Sequence, residues 1–252
     1  MKAMIFAAGL GTRLRPLTND RPKALVELDG RTLLEIALAR LRDFDIREVV
    51  INVHHFADNL IAYLKAHDNF GMRIGVSREE VLLDTGGGLK NAAHFFLADS
   101  RAVEADEPIV VHNVDVLSTI DLERMAKAHT ANKALATLAV QDRKTSRYLL
   151  FDERMRLCGR RIGDEATAEV VRPSRQVQPL AFAGIHLVSP RLLTKLTEDG
   201  SFSIIMSYLR LAHAEETIVG FRADEYYWRD LGRHDDLKQA AKDLKEQRLA
   251  KG

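Results

Sequence analysis

AAGLGTRLRPLTNDRPKAL, Ala7 to Leu25, directly follows the apolar run Met4-Ile5-Phe6. A short apolar run ending in a glycine-rich turn opens a strand–turn–helix unit of an α/β protein. Spacing limits what this turn can do. It lacks the Gly-x-x-x-x-Gly-Lys-Ser/Thr of a P-loop. Gly9-Leu-Gly11-Thr-Arg-Leu14 places leucine where the dinucleotide fingerprint has its third glycine, so a dehydrogenase reading is weak. What remains is a turn whose backbone amides converge on an anion, with Thr12 as a neutral donor and Arg13 as a fork for phosphate oxygens. A lone Gly-x-Gly is more often a tight turn with solvated arginines. Here Arg13, Arg15, Arg21 and Lys23, opposed only by Asp20, concentrate three net positive charges beside the turn, which suits a polyphosphate.

Short apolar runs alternate with helical patterns through the first half, the signature of β-α-β units and a largely parallel sheet. Strands are expected at Lys2 to Ala7, Glu48 to Val53, Arg73 to Ser77, Pro108 to Val114 and Leu135 to Gln141. Thr32 to Phe44 carries Leu33, Leu34, Ala37, Leu38 and Leu41 on one face, and Thr32-Leu-Leu-Glu35 fits a capping box. Further helices are expected near Asp58 to Ala66, Gly88 to Leu97 and Leu122 to Thr130. After about residue 145 the pattern changes. Tyr148 to Phe151 and Met155 to Leu157 flank Asp152-Glu-Arg154 as a hairpin, and Leu180 to Val188 reads as a later strand, an antiparallel extension of the same sheet. Asp235 to Ala250 has helical spacing at Leu237, Ala240, Ala241 and Leu244. No linker separates two domains, so residues 1–252 are expected to form one.

Composition narrows the class of partner. There are 37 Lys and Arg against 36 Asp and Glu, and a net charge of +1 gives no global attraction for nucleic acid or an anionic membrane. An anionic partner must be held by a local patch. The single cysteine, Cys158, excludes an internal disulfide and a cysteine-rich metal site, and is expected to be a small half-buried residue. No stretch approaches the length of a membrane span or a signal peptide, which points to the cytoplasm.

Ala8-Gly9-Leu-Gly11-Thr-Arg13-Leu-Arg-Pro16-Leu-Thr18, followed by Arg21-Pro22-Lys23-Ala-Leu, resembles the signature of the sugar-1-phosphate nucleotidyltransferases. The resemblance implies an α/β fold of three layers, a Rossmann-like, mixed and mainly parallel sheet flanked by helices, of the nucleotide-diphospho-sugar transferase type. Within it, about 1–145 is the nucleotide-binding half, and about 146–252 is the sugar-phosphate half with a C-terminal helix. It implies a nucleoside triphosphate and a sugar 1-phosphate as partners and Mg2+ as cofactor. Ala8, Gly9, Gly11, Thr12 and Arg13 are expected to hold the triphosphate, and Lys23, with Arg13, to act at the reacting phosphate.

Asp115 follows the apolar run Ile109 to Val114, at the end of a strand where open α/β sheets bind ligands. Asp230 lies in Trp228-Arg-Asp-Leu-Gly232, which resembles the family's late Trp-x-Asp-x-Gly element; together these resemble its two metal-binding aspartates. Val114 stands where the family usually has a small residue. Asp84-Thr85-Gly86-Gly87-Gly88 resembles the segment whose backbone approaches base and ribose, so Thr85, Gly86 and Gly87 are expected at the nucleotide; Asp84 or Thr85 also suits a helix cap. Glu80, next to Glu79, is the expected base reader where some relatives carry glutamine. Val171-Arg172-Pro173 stands where many relatives have Glu-Lys-Pro, and Phe182-Ala-Gly184 follows it; Arg172 and Gly184 are thus the expected sugar-phosphate ligands. His54, His55 and His112 have no ligand spacing and read as neutral structural histidines.

The resemblance is greatest to N-acetylmuramate-1-phosphate uridylyltransferase-like and mannose-1-phosphate guanylyltransferase-like short members. UTP is favoured. GTP with mannose 1-phosphate, and a non-catalytic nucleotide-sugar-binding regulator, stay open, as does the choice between monomer and homodimer.

Overall fold

The computed structural model describes residues 1–163 and 168–246. The chain opens with β1 (Lys2–Phe6), passes through the glycine-rich loop, and reaches a small hairpin of β2 (Glu27–Leu28) and β3 (Arg31–Thr32) before α1 (Leu33–Asp43). Next come β4 (Glu48–Val53), α2 (Ala57–Ala66), β5 (Arg73–Arg78), α3 (Asp84–Asn91), α4 (Ala93–Leu97), α5 (Ser100–Glu104) and β6 (Ile109–Asn113). β1 pairs in parallel with both β4 and β6, and β4 with β5.

Every residue from Ala3 to Ile5 is fully buried, as a central parallel strand covered on both faces requires. Alternation then sorts its side chains: Ala3 and Ile5 enter one core with Leu34 and Leu38 of α1, while Met4 enters the other with Leu89 and Phe96. These cores are the interfaces of a three-layer α/β fold.

α1 has the predicted capping box. The Glu35 amide donates to the Thr32 hydroxyl at 3.1 Å, and the Thr32 amide to the Glu35 carboxylate at 2.6 Å. Such a cap contributes about 0.5–2 kcal/mol, whereas each fully buried leucine contributes about 1.5–3 kcal/mol. Leu33, Leu34, Leu38 and Leu41 are all at or below 1% exposure. Packing therefore dominates the helix's stability, and the cap fixes where it starts.

The second half continues with β7 (Val116–Ser118), α6 (Leu122–Ala131), β8 (Ala136–Gln141), β9 (Arg147–Phe151), β10 (Leu157–Ile162), β11 (Ala168–Val170) and β12 (Gln178–Val188). It closes with α7 (Pro190–Leu193), α8 (Ile204–His213), β13 (Ile218–Arg222), β14 (Trp228–Asp230) and α9 (His234–Lys245). β9 to β12 form the expected antiparallel extension of the same sheet. The central sheet is thus mixed: the part carrying the N-terminal loop is parallel, and β12 joins it antiparallel to β6. β12 changes partner along its length, from β9 at Gln178–Ala181 to β6 at Ile185–Val188, with a register shift against β8 between Phe182 and His186. Gly184 sits in that shift at φ 72°, where a side chain would meet Asn113. The bulge frees carbonyl groups from the ladder.

The expected helix at Gly88 to Leu97 is in fact α3 and α4, and α3 begins four residues earlier, at Asp84. Cys158 is fully buried rather than half-buried, and burial raises its thiol pKa. The last residues of the predicted tail helix, 247–250, lie outside the described residues. Among the described residues no helix is long and apolar enough to cross a membrane.

Candidate active site

The parallel strands β1, β4 and β6 end together, Phe6 opposite both Asn52 and Asn113. Here the glycine-rich loop leaves the sheet. The Ala7 amide donates to the Asn52 side-chain oxygen at 2.8 Å, which satisfies the first amide beyond β1. The Thr18 hydroxyl donates to the Gly11 carbonyl at 2.9 Å and folds the loop on itself. Gly11 has φ 64°, and a β-carbon there would stand 3.0 Å from Thr18 and 3.2 Å from Lys23. Left-handed backbone costs about 1–2 kcal/mol in a residue with a β-carbon. Gly11→Ala is therefore expected to destabilise the protein by at least that much, read as a lower urea midpoint; an unchanged midpoint contradicts the loop geometry. Gly9 differs: a β-carbon there meets nothing of the protein, so its bare backbone opens onto the cleft.

That cleft, of about 490 Å³, is lined by Ala8, Gly9, Gly11, Thr12, Arg13, Lys23, Thr85 and Asp115. The structure thus gathers most of the predicted triphosphate site on one surface. A second cleft, of about 740 Å³, contains Gly184 and Asp230 and shares Arg13 and Asn113 with the first. The two aspartates lie at the junction, Asp115 on one side and Asp230 on the other. The Leu231 amide donates to the Asp115 carbonyl at 2.7 Å and holds the two segments together.

Lys23 is buried and forms an ion pair with Asp115. Burial pushes the Asp230 carboxyl above its usual range and the charge of Asp115 adds to this, while Lys23, the Gly232 amide and Arg13 pull it back. Gly232 is small for a reason, since a β-carbon there would stand 2.9 Å from the Arg13 guanidinium and 2.6 Å from the Asp230 carboxylate. Among the described residues no group of three or more His, Cys, Asp or Glu side chains gathers to cage a metal ion. A pair of carboxylates with like-charge repulsion between them suits Mg2+, which takes one or two carboxylates and completes its shell with water and substrate oxygens. Asp115 and Asp230 would hold it.

Four predicted residues line neither cleft: Glu80, Gly86, Gly87 and Arg172. Glu80 is exposed, whereas its neighbour Glu79 is 3% exposed and lines the nucleotide-side cleft. The Glu79 carboxylate accepts from Asn52 at 2.6 Å and from the Leu83 amide at 3.0 Å. The glycine run is a helix-packing device. A β-carbon on Gly86 would strike the Phe202 ring, one on Gly87 would stand 2.5 Å from the Gly200 carbonyl, and the Gly86 amide donates to Phe202 at 2.8 Å. Thr85 caps a different helix from the one expected: its hydroxyl accepts from the Ile204 amide at the start of α8.

Arg172 is buried beneath the antiparallel extension, donating to the Glu216 carbonyl at 3.0 Å and pairing with Glu215 at 3.6 Å. Its Nε and Nη1 are buried with no hydrogen-bond partner among the described residues, and the side chain lines neither cleft. Asn52, Glu79, Asn113 and Arg143 are among the cleft residues that the sequence did not single out as ligands. Asn52 and Asn113 were detectable as polar residues at the C-terminal ends of the apolar runs of β4 and β6. Glu79 was detectable by period-two alternation, because it shares a parity with buried Ser77 of β5. His112 is a neutral structural histidine: burial lowers its pKa to about 4, and its Nδ1 bonds the Asn113 carbonyl at 2.7 Å.

Comparison with known proteins agrees with this geometry. Residues 2–247 match the nucleotidyl transferase family. The chain is 36% identical to N-acetylmuramate alpha-1-phosphate uridylyltransferase of Caulobacter vibrioides, across 91% of each chain. It is 28% identical to mannose-1-phosphate guanyltransferase of Yarrowia lipolytica across 94% of this chain, which spans 62% of that longer protein. In fold it is similar to a putative glucose-1-phosphate thymidylyltransferase from Bacillus anthracis, with a TM-score of 0.76, 18% identity, and coverage of 96% of this chain and 94% of the other. A UDP-glucose pyrophosphorylase complexed with UDP-glucose superposes with a TM-score of 0.74 at 17% identity over 98% of each chain. With residues 2–247 matched and 36% identity across 91% of each chain, this chain belongs to the nucleotidyl transferase family.

Proposed function

We propose that the protein condenses UTP with a sugar 1-phosphate to give a nucleotide sugar and pyrophosphate, with Mg2+ as cofactor. The observation that carries this reading is the placement of Lys23, Asp115 and Asp230 where two clefts meet, in a chain resembling the Caulobacter uridylyltransferase across 91% of each chain.

In the reaction an oxygen of the sugar phosphate attacks the α-phosphorus of the nucleotide. A new P–O bond forms, the bond to the bridging oxygen of the β-phosphate breaks, and pyrophosphate leaves with that electron pair. No protein nucleophile is required; the barrier falls through alignment and compensation of developing negative charge. The backbone of Gly9 to Thr12 and the Arg13 fork bind the triphosphate. Lys23, fixed by its pairing with Asp115, presents a cation at the reacting phosphorus. Bound Mg2+ supplies Lewis-acid neutralisation of phosphate oxygens. Removing divalent ions with EDTA is expected to abolish pyrophosphate release, and excess Mg2+ to restore it; turnover persisting in EDTA contradicts the metal assignment.

A second reading, GTP with mannose 1-phosphate, is favoured by one observation. Glu79 presents a carboxylate to the nucleotide-side cleft, and guanine's Watson–Crick edge offers two adjacent donors where uracil offers one. Against it, both Glu79 oxygens already accept protein hydrogen bonds. Pyrophosphate release from each of the four NTPs against a panel of sugar 1-phosphates decides between them. UTP is expected to give the highest kcat/KM, and a GTP preference overturns that assignment.

A further inference from the structure

The proposed reaction needs a ligand for the phosphate of the sugar substrate, and Arg172, expected there, is turned to Glu215 and Glu216. We propose that Arg143, just beyond β8 and stacked on Trp228, anchors the phosphate monoester of the sugar substrate in the second cleft. The proposal rests on the nucleotidyltransferase reading above and names the residue that serves its second substrate.

Arg143 lines the cleft that contains Asp230 and opens to the nucleotide side at Arg13 and Asn113. Its guanidinium is fixed by two contacts. Nη2 donates to the Phe182 carbonyl at 2.8 Å, and the guanidinium carbon lies 3.8 Å from the centroid of the Trp228 ring. The ring is held in turn, its Nε1 donating to the Ala183 carbonyl at 2.7 Å. Both carbonyls belong to the stretch of β12 where its register against β8 shifts, so the bulge at Gly184 builds the seat. A planar guanidinium stacked on an aromatic face is pre-organised for a bidentate anion.

The Arg143 Nε is buried with no hydrogen-bond partner among the described residues; Arg172 has buried orphaned donors too, but of the two only Arg143 lines a cleft. A buried charged donor without an acceptor is costly, and a phosphate oxygen would satisfy it. Lys144, exposed beside it, and Arg13, Arg229 and Arg233 of the same cleft add further positive charge. Asp235 and Asp236 also line this cleft and offer acceptors to hydroxyl groups, which suits a polyol ester better than inorganic phosphate alone. Arg143 and Asp230 line the same cleft, so a phosphate held by Arg143 would lie on the Asp230 side of the junction.

Trp228 is the only tryptophan in the chain, so its fluorescence reports this seat directly. Titration of the wild-type protein with glucose 1-phosphate is expected to change that fluorescence saturably, and glucose is expected to have no effect. Arg143→Gln should weaken the titration and raise KM for the sugar 1-phosphate by about 10- to 100-fold, the loss of one charge-assisted bond pair. KM for the nucleotide should stay within about threefold. Arg143→Lys, which keeps the charge and loses the fork, should fall between, and Arg172→Gln should leave both KM values unchanged. Sugar-phosphate KM and fluorescence titration unaltered in both Arg143 variants would overturn the inference while the nucleotidyl-transfer reading stands. Absence of turnover with every pair would sink that reading, and the fluorescence titration would still decide whether Arg143 holds a phosphate monoester.

Discussion

Lys23→Ala is expected to lower turnover by about 10²–10³-fold, the cost of removing one preorganised charge donor from a developing oxyanion. Nucleotide affinity should change far less, because the triphosphate keeps the Gly9–Thr12 backbone and the Arg13 fork. The contrast comes from position. Arg13 is exposed at the rim, whereas Lys23 is buried at the junction of the clefts and paired with Asp115. The check is single-turnover pyrophosphate release alongside calorimetric titration of UTP. Loss of binding in proportion to loss of rate would show that Lys23 only binds substrate, and unchanged turnover would remove it from the reaction altogether.

Asp230→Asn is expected to be at least as damaging to activity, and to have the opposite effect on stability. Burial and the charge of Asp115 oppose ionisation of Asp230, so its carboxyl titrates above the ordinary range. A group whose folded pKa is raised destabilises the folded state when ionised, beginning above its unfolded value and growing until pH passes the folded one. At neutral pH, without metal, the neutral amide therefore raises Tm. Mg2+ should then reverse the order, raising Tm of the wild type, which gains a counter-charge, more than that of the variant. Thermal melts with and without Mg2+ check both signs. A variant that melts lower without metal, or gains as much from Mg2+ as the wild type, contradicts the assignment of Asp230 as a metal ligand.

What could be read from the sequence follows from the range of each signal. Strand and helix periodicity is local, and β1, β4, β6, β9 and α1 fall where apolar spacing puts them, whereas β10, expected at Met155 to Leu157, runs from Leu157 to Ile162. The loop from Ala8 to Lys23 was legible because its glycines, charges and spacing sit in one stretch. Asp115 stood out at the end of an apolar strand, whereas Asp230, 115 residues further on, was legible only through resemblance to a known pattern, and the fold brings the two to one junction.

The failures arise where function depends on contacts between distant segments. Gly86 and Gly87 look like a ligand-binding run, and only the 200–202 loop packed against them reveals why glycine is required. Arg172 stands at the expected spacing, yet Glu215 and Glu216 claim its guanidinium from over 40 residues away. Arg143 carries no motif at all; its place is created by a bulge in β12 and a tryptophan in β14. Glu80 is exposed, and extending the alternation of β5 past its last residue points to Glu79 as the buried neighbour.

Pyrophosphate release by the purified protein with Mg2+, UTP and N-acetylmuramate 1-phosphate or another sugar 1-phosphate tests the central claim most directly. Stoichiometric release of pyrophosphate and nucleotide sugar, dependent on both substrates and lost in Lys23→Ala, is the predicted result. No release with any pairing of NTP and sugar 1-phosphate, by a folded protein that still binds nucleotide, would contradict it.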